Sequence, residues 1–87
     1  VQLSKPLEPY LIDVSGAKTA TIGADGEDRW SAIVRILDKN LNLLEEKRSD
    51  KAINSLKVSF PQNAKYLMMD DAVSLENIKR GLKIYLE

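Results

Sequence analysis

Three carboxylates, Asp25, Glu27 and Asp28, stand within four residues of one another on a stretch that also holds Gly23 and Gly26. Carboxylates and loop carbonyls are what Ca²⁺ takes as ligands, so these acids are the chain's candidates for a metal. The spacing is not that of an EF-hand, which ends a longer alternation in a bidentate Glu. Three acids without a ring of fixed carbonyls make a poor cage. The expectation is a solvated acidic loop, partly neutralised by Arg29, with no tight metal and no cofactor. Trp30 follows, the one tryptophan of the chain. An indole face beside a polar loop is a sugar platform. Trp30 also opens an alternating apolar stretch, which points to the core. Trp30, Arg29 and Asp28, with Tyr85 on a strand near the end, make the candidate ligand-binding set.

Other groups carry less. Asp70 and Asp71 are adjacent, and neighbours on an extended chain point apart. That is the wrong geometry for two acids flanking a glycosidic bond. Lys79, Arg80 and Lys83 form a small basic cluster, at best a weak anion site. Histidine and cysteine are both absent. Ser-His-Asp and Cys-His catalysis, imidazole and thiolate metal ligation and disulfides are thereby excluded. Nothing supplies a base and nucleophile pair, so the chain is not expected to be an enzyme.

These residues need elements to position them. At 87 residues the chain is one domain, and 30% charged residues with 44% hydrophobic ones is an ordinary globular composition. Residues 1–9 hold Pro6 and Pro9 and read as an extended lead-in or linker. Val1 in place of Met suggests a chain processed or excised from a larger protein. In residues 10–14, Tyr10, Ile12 and Val14 share one face of a strand. A turn at Ser15-Gly16-Ala17 precedes a β-branched strand over 18–22. The clearest strand covers residues 30–37. Trp30, Ala32, Val34 and Ile36 line one face; Ser31, Ile33, Arg35 and Leu37 line the other. Asp38-Lys39-Asn40 is a turn, and residues 41–45 return as a hairpin strand, with a helix over 41–48 as the competitor. The mixed-sign run over 45–51 reads as an exposed hairpin end or loop.

Leu56, Val58 and Phe60 alternate with Lys57 and Ser59, the pattern of a strand with one buried face. Pro61 sets a turn into a strand over 64–69, with Tyr66 expected inward. Ser74 is an N-cap candidate before Leu75, and residues 82–86 form the last strand. Six to seven short strands, separated by turn signals, predict an all-β antiparallel sandwich over residues 10–87.

Three stretches carry a resemblance. They are residues 12–19 with the loop at 23–28, Trp30 leading into Val34-Arg35-Ile36-Leu37-Asp38-Lys39-Asn40, and the strand, proline turn and strand over 58–67. Together they resemble jelly-roll modules of the galactose-binding-like type, which accompany bacterial surface glycosidases and esterases and phage tail or receptor-binding proteins. The resemblance implies a jelly-roll-like sandwich and a non-catalytic accessory module that binds carbohydrate within a larger extracellular or virion protein. The alternative is a structural or assembly sandwich that mediates contacts between domains or subunits and has no ligand site. Aromatic residues are only 6% of the chain, which leaves few rings for a sugar and keeps that alternative open.

Thirteen Lys and Arg balance thirteen Asp and Glu, so no nucleic-acid partner is expected. No run approaches the roughly 18 apolar residues of a membrane span, and no membrane partner is expected. The expected partners are a glycan and other domains of the parent or a second copy. That contact is expected on a surface including Tyr85 and residues 41–45, whose leucines exceed what one sheet face can bury.

Overall fold

A computed structural model describes residues 2–87; the reading of Val1 as a processed end falls outside them. The strands are β1 (Tyr10–Asp13), β2 (Thr19–Ala24), β3 (Ala32–Leu37), β4 (Leu43–Arg48), β5 (Ser55–Ser59), β6 (Tyr66–Asp71) and β7 (Leu82–Leu86). They form a four-stranded sheet, β1-β6-β3-β4, and a three-stranded sheet, β5-β2-β7. Every pairing is antiparallel. The architecture is the all-β antiparallel sandwich that the strand spacing predicts. Of the successive strands, only β3 and β4 pair as a hairpin; each other connection carries the chain to the opposite sheet.

Alternation explains which side chains meet between the sheets. Ala20, Ile22 and Ala24 of β2 face Ala32, Val34 and Ile36 of β3, with Val58, Leu82 and Ile84 completing the layer. Val14 and Ile78 reach the same core from the loops. Trp30 is fully buried. It exchanges both backbone hydrogen bonds with Ile53, each 2.9 Å, and so pins the entry of β3 to the approach of β5. Its ring is core, as the alternation of residues 30–37 predicts. Its Nε1–H has no hydrogen-bond partner among the described residues.

Three elements differ from the sequence reading. In β6 the inward residues are Leu67, Met69 and Asp71, and Tyr66 lies on the outer face. Tyr66-Leu67-Met68-Met69 is apolar at every position, so its alternation cannot choose a face. The register does, placing Tyr66 opposite Leu37 and Asp13, with the Lys65 ammonium 5.7 Å from its ring centre. The charged run that reads as a loop is most of β4. The strand is an exposed edge, where Lys and Glu discourage pairing with another chain. Its Glu46 holds Arg35 at 2.8 Å and Arg48 at 3.1 Å.

The lead-in, third, is docked. Leu3 donates to the Leu82 carbonyl at 2.7 Å, Gln2 pairs with Lys83, Pro6 is buried and the Tyr10 hydroxyl donates to the Ser4 carbonyl. Gly81 makes this possible. Its φ is +84°, and a Cβ there would sit 1.8 Å from the Leu3 carbonyl oxygen, so only glycine fits.

Trp30→Ala is expected to lower unfolding stability by about 3–5 kcal/mol, read from urea denaturation with an unchanged slope. A shift well under 1 kcal/mol would mean that the ring is not packed in the core.

Candidate functional site

The connections β2–β3, β4–β5 and β6–β7 gather at one end of the sandwich, and most of the predicted site residues are there. Residues 25–29 form a tight loop, with Asp28 N donating to Asp25 O at 3.0 Å. Two clamps hold it. From the β4–β5 connection, the Asn54 side-chain amide donates to the Gly26 and Asp28 carbonyls, both at 2.8 Å. From the β6–β7 connection, the Arg80 guanidinium binds Asp28 through Nε (3.0 Å) and Nη2 (2.8 Å). Arg80 also lies 3.8 Å and Lys83 3.6 Å from the Asp25 carboxylate.

Sequence reasoning assigns neutralisation of the acids to Arg29, but Arg80 and Lys83 do that work. The Arg80 hydrogen bonds hold the Asp28 carboxyl below its ordinary value, and Asp28 in turn raises Arg80. Asp25, Glu27 and Asp28 do not converge. Among the described residues, no three His, Cys, Asp or Glu side chains come together in a way that could hold a metal ion.

The clamped loop shapes two adjoining open hollows. One, of about 330 Å³, is lined by Gly26, Glu27, Arg29 and Asn54. The other, of about 310 Å³, is lined by Glu27, Asp28, Arg29, Asn77 and Lys79. Glu27 and Arg29 are common to both. Among the described residues, Glu27 and Arg29 have no ion-pair partner, while Lys79 makes no close ion pair but acts through its charge on Asp28. The hollows therefore combine a carboxylate and a guanidinium without ion-pair partners, an ammonium that already faces the charge of Asp28, and amides that are partly committed to the fold.

The structure brings Asp28 and Arg29 to this site and keeps Trp30 and Tyr85 away from it. Trp30 lies beneath the loop with no face exposed, so it offers no sugar platform. Tyr85 is 61% exposed but projects from the outer face of β7, opposite Thr21. Residues 41–45 belong to the other sheet, with Leu43 opposite Leu37 on its outer face. Tyr85 and Leu43 thus lie on the outer faces of different sheets.

Sequence reasoning misses Asn54 and Asn77, and it weighs Asp71 only as half of an acid pair with Asp70. Asp71 is 7% exposed and has no ion-pair partner among the described residues. Its Oδ1 accepts from Val73 N (2.8 Å), Ser74 N (3.0 Å) and Asn77 Nδ2 (3.1 Å), and its Oδ2 accepts from Ser31 N (2.9 Å). Burial pushes this carboxyl up, but the backbone donors of Val73, Ser74 and Ser31 and the Asn77 amide outweigh it, so it titrates below the ordinary value. The one available signal was an acid closing an otherwise apolar strand face. No known protein family, curated protein or solved structure matches the chain.

Asp71→Asn keeps the size but presents a donor to donors. It is expected to cost about 1–3 kcal/mol at pH 7. The folded carboxyl titrates below the unfolded one, so its stabilisation is complete above the unfolded value, about pH 3.9, and is lost as pH falls through the folded value. Urea denaturation should therefore show the gap between wild type and Asp71→Asn closing below about pH 4. A gap constant with pH would contradict the assignment.

Proposed function

We propose that this domain is a non-catalytic binding module for a carbohydrate, held at the loop end of the sandwich across the two hollows that share Glu27 and Arg29. The observation behind this reading is the division of labour at that end. Asp28, Asp25 and Asn54 are spent on fixing the loop, while Glu27 and Arg29 have no ion-pair partner among the described residues and, with Lys79, line open space. Carboxylate, guanidinium and ammonium groups suit a ligand rich in hydroxyls, each of which both donates and accepts. A loop already fixed before binding loses little further entropy when the ligand arrives. The resemblance to galactose-binding-like modules supports the same class of ligand. With Trp30 buried, recognition rests on hydrogen bonds and not on ring stacking. A non-catalytic role is supported by the absence of histidine and cysteine and by the use of Asp71 as a structural acceptor.

A specific observation also favours an assembly role. Leu11 and Leu43 are about half exposed on the outer face of the four-stranded sheet, in rows with Met68 and Leu37. If that face is covered by another domain or copy, Leu43→Lys abolishes the association in sedimentation and leaves sugar binding intact.

Titration of the isotopically labelled protein with a panel of mono- and oligosaccharides should move the amide resonances of Glu27, Arg29 and Lys79. Arg29→Ala should weaken the best ligand about tenfold, the loss of one charge-assisted hydrogen bond. A panel that leaves these resonances still at millimolar sugar would overturn the carbohydrate reading.

A further inference from the structure

The β6–β7 turn carries a second attachment on its other side. Residues 80–83 hold the loop through the side chains of Arg80 and Lys83. The same four residues carry residues 2–4 on their backbone. Leu3 N donates to Leu82 O at 2.7 Å, Gln2 pairs with Lys83 and the Gln2 side-chain amide reaches the Arg80 carbonyl at 3.4 Å. The Leu3 carbonyl fills the space over Gly81 where any other residue would place its Cβ. The arrangement is therefore a chain of three pieces in direct contact: the N-terminal segment, the turn at 80–83, and the loop that shapes both hollows.

We infer that residues 2–4 act as a strap whose docking on Gly81 and Leu82 sets the position of Arg80 and so the order of the hollow-bearing loop. The strap is the two-state element. Gln2 and Ser4 are exposed on either side of Leu3, which alone of the three packs against the core, so the segment can open locally without the sheets coming apart. When it lifts, the turn loses its backbone partners and Arg80 its fixed origin, and the bidentate grip on Asp28 loosens. Linkage makes the effect reciprocal. A ligand that needs the ordered loop favours the docked strap, and anything that draws residues 2–4 away weakens that ligand. This names a regulation of the proposed sugar site and rests on that reading only for what is regulated; the coupling itself is measured without a ligand.

The test uses Leu3→Pro, which removes the donor to Leu82 and leaves the turn's own sequence intact. Amide exchange at Asp28, whose N–H bonds within the loop, should accelerate about five-fold or more, and the Asp28 carboxyl should titrate closer to the ordinary Asp value. The Asn42 amide, in the Asp38 turn at the far end of the sandwich, should keep its rate. Arg80→Gln provides the reverse reading: it should speed exchange at the Leu3 amide, and the Asn42 amide should again be unchanged. Unchanged exchange and titration at Asp28 in Leu3→Pro would overturn the coupling, as would an unchanged Leu3 amide in Arg80→Gln. Equal acceleration at Asp28 and Asn42 would also overturn it, since that is the mark of a general loss of stability. Failure of the sugar titration with success here would leave the strap standing and remove only its proposed ligand.

Discussion

A carboxylate that is buried without a cation must find enough N–H donors or it will not stay charged, and the loop end of this domain is organised around that requirement. Asp71 closes the inward face of β6 where an apolar residue would have continued it. Its two oxygens draw in the Ser31 amide from the approach to β3 and the Val73, Ser74 and Asn77 donors from the β6–β7 connection. The reverse bond, Ala72 N to Ser31 O at 2.8 Å, locks the two segments together. Trp30, next to Ser31, is held over the core by the same arrangement, and the 3₁₀ turn (Leu75–Asn77) with its Ser74 cap follows from it. Were Asp71 apolar, the Ser31, Val73, Ser74 and Asn77 donors would lose the one acceptor that gathers them and turn to water instead.

The parts of the fold legible in the sequence are those where one face of a strand is apolar and the other is not. Residues 56–60 show this fully and residues 30–37 through Ser31 and Arg35, although Ile33 and Leu37 on that outer face are also buried; the inward residues are the ones expected: Ala32, Val34, Ile36 and Val58 are buried, with Leu56 and Phe60 packed against the core. Legibility fails where both faces are apolar or both are charged. Tyr66-Leu67-Met68-Met69 hides its register, and Glu45-Glu46-Lys47-Arg48 hides that it is a strand at all, because an edge strand with one solvated face need bury very little. Of β4, only Leu44 packs against the core; Lys47, opposite Val34, reaches over to the Lys57 carbonyl of the other sheet at 3.3 Å.

The site was legible as a location and not as a set of partners. An acidic, glycine-bearing loop beside Trp30 marks itself in the sequence. That Asp28 belongs to Arg80, 52 positions along the chain, does not, because nothing local records which strands a sandwich brings together. The basic cluster at Lys79, Arg80 and Lys83 and the acidic cluster at 25–28 read as two separate surface features. Arg80 and Lys83 of the one and Asp25 and Asp28 of the other are the two halves of one clamp. The zero net charge of the chain is partly a consequence: several of its charges serve to answer one another across connections rather than to attract a partner.

Exposed ion pairs of this kind contribute little stability each, so their presence at the loop end needs a different explanation from energy. A polar clamp of charged groups in fixed geometry restricts the loop to one shape even where the net gain is small, and shape is what the neighbouring hollows require. The rest of the molecule bears this out by contrast. The ion pairs of Glu46 with Arg35 and Arg48 lie on the outer face of a regular sheet, where backbone hydrogen bonds already define the geometry and the charges only keep an edge soluble. At residues 25–29 no sheet defines the backbone, and side chains from two other connections do so. A small sandwich commits its interior to Trp30 and the alternating aliphatic residues, so the hollows at its loop end are left to surfaces that the sheets do not shape. At this end, that surface is shaped by Asn54, Arg80 and Lys83.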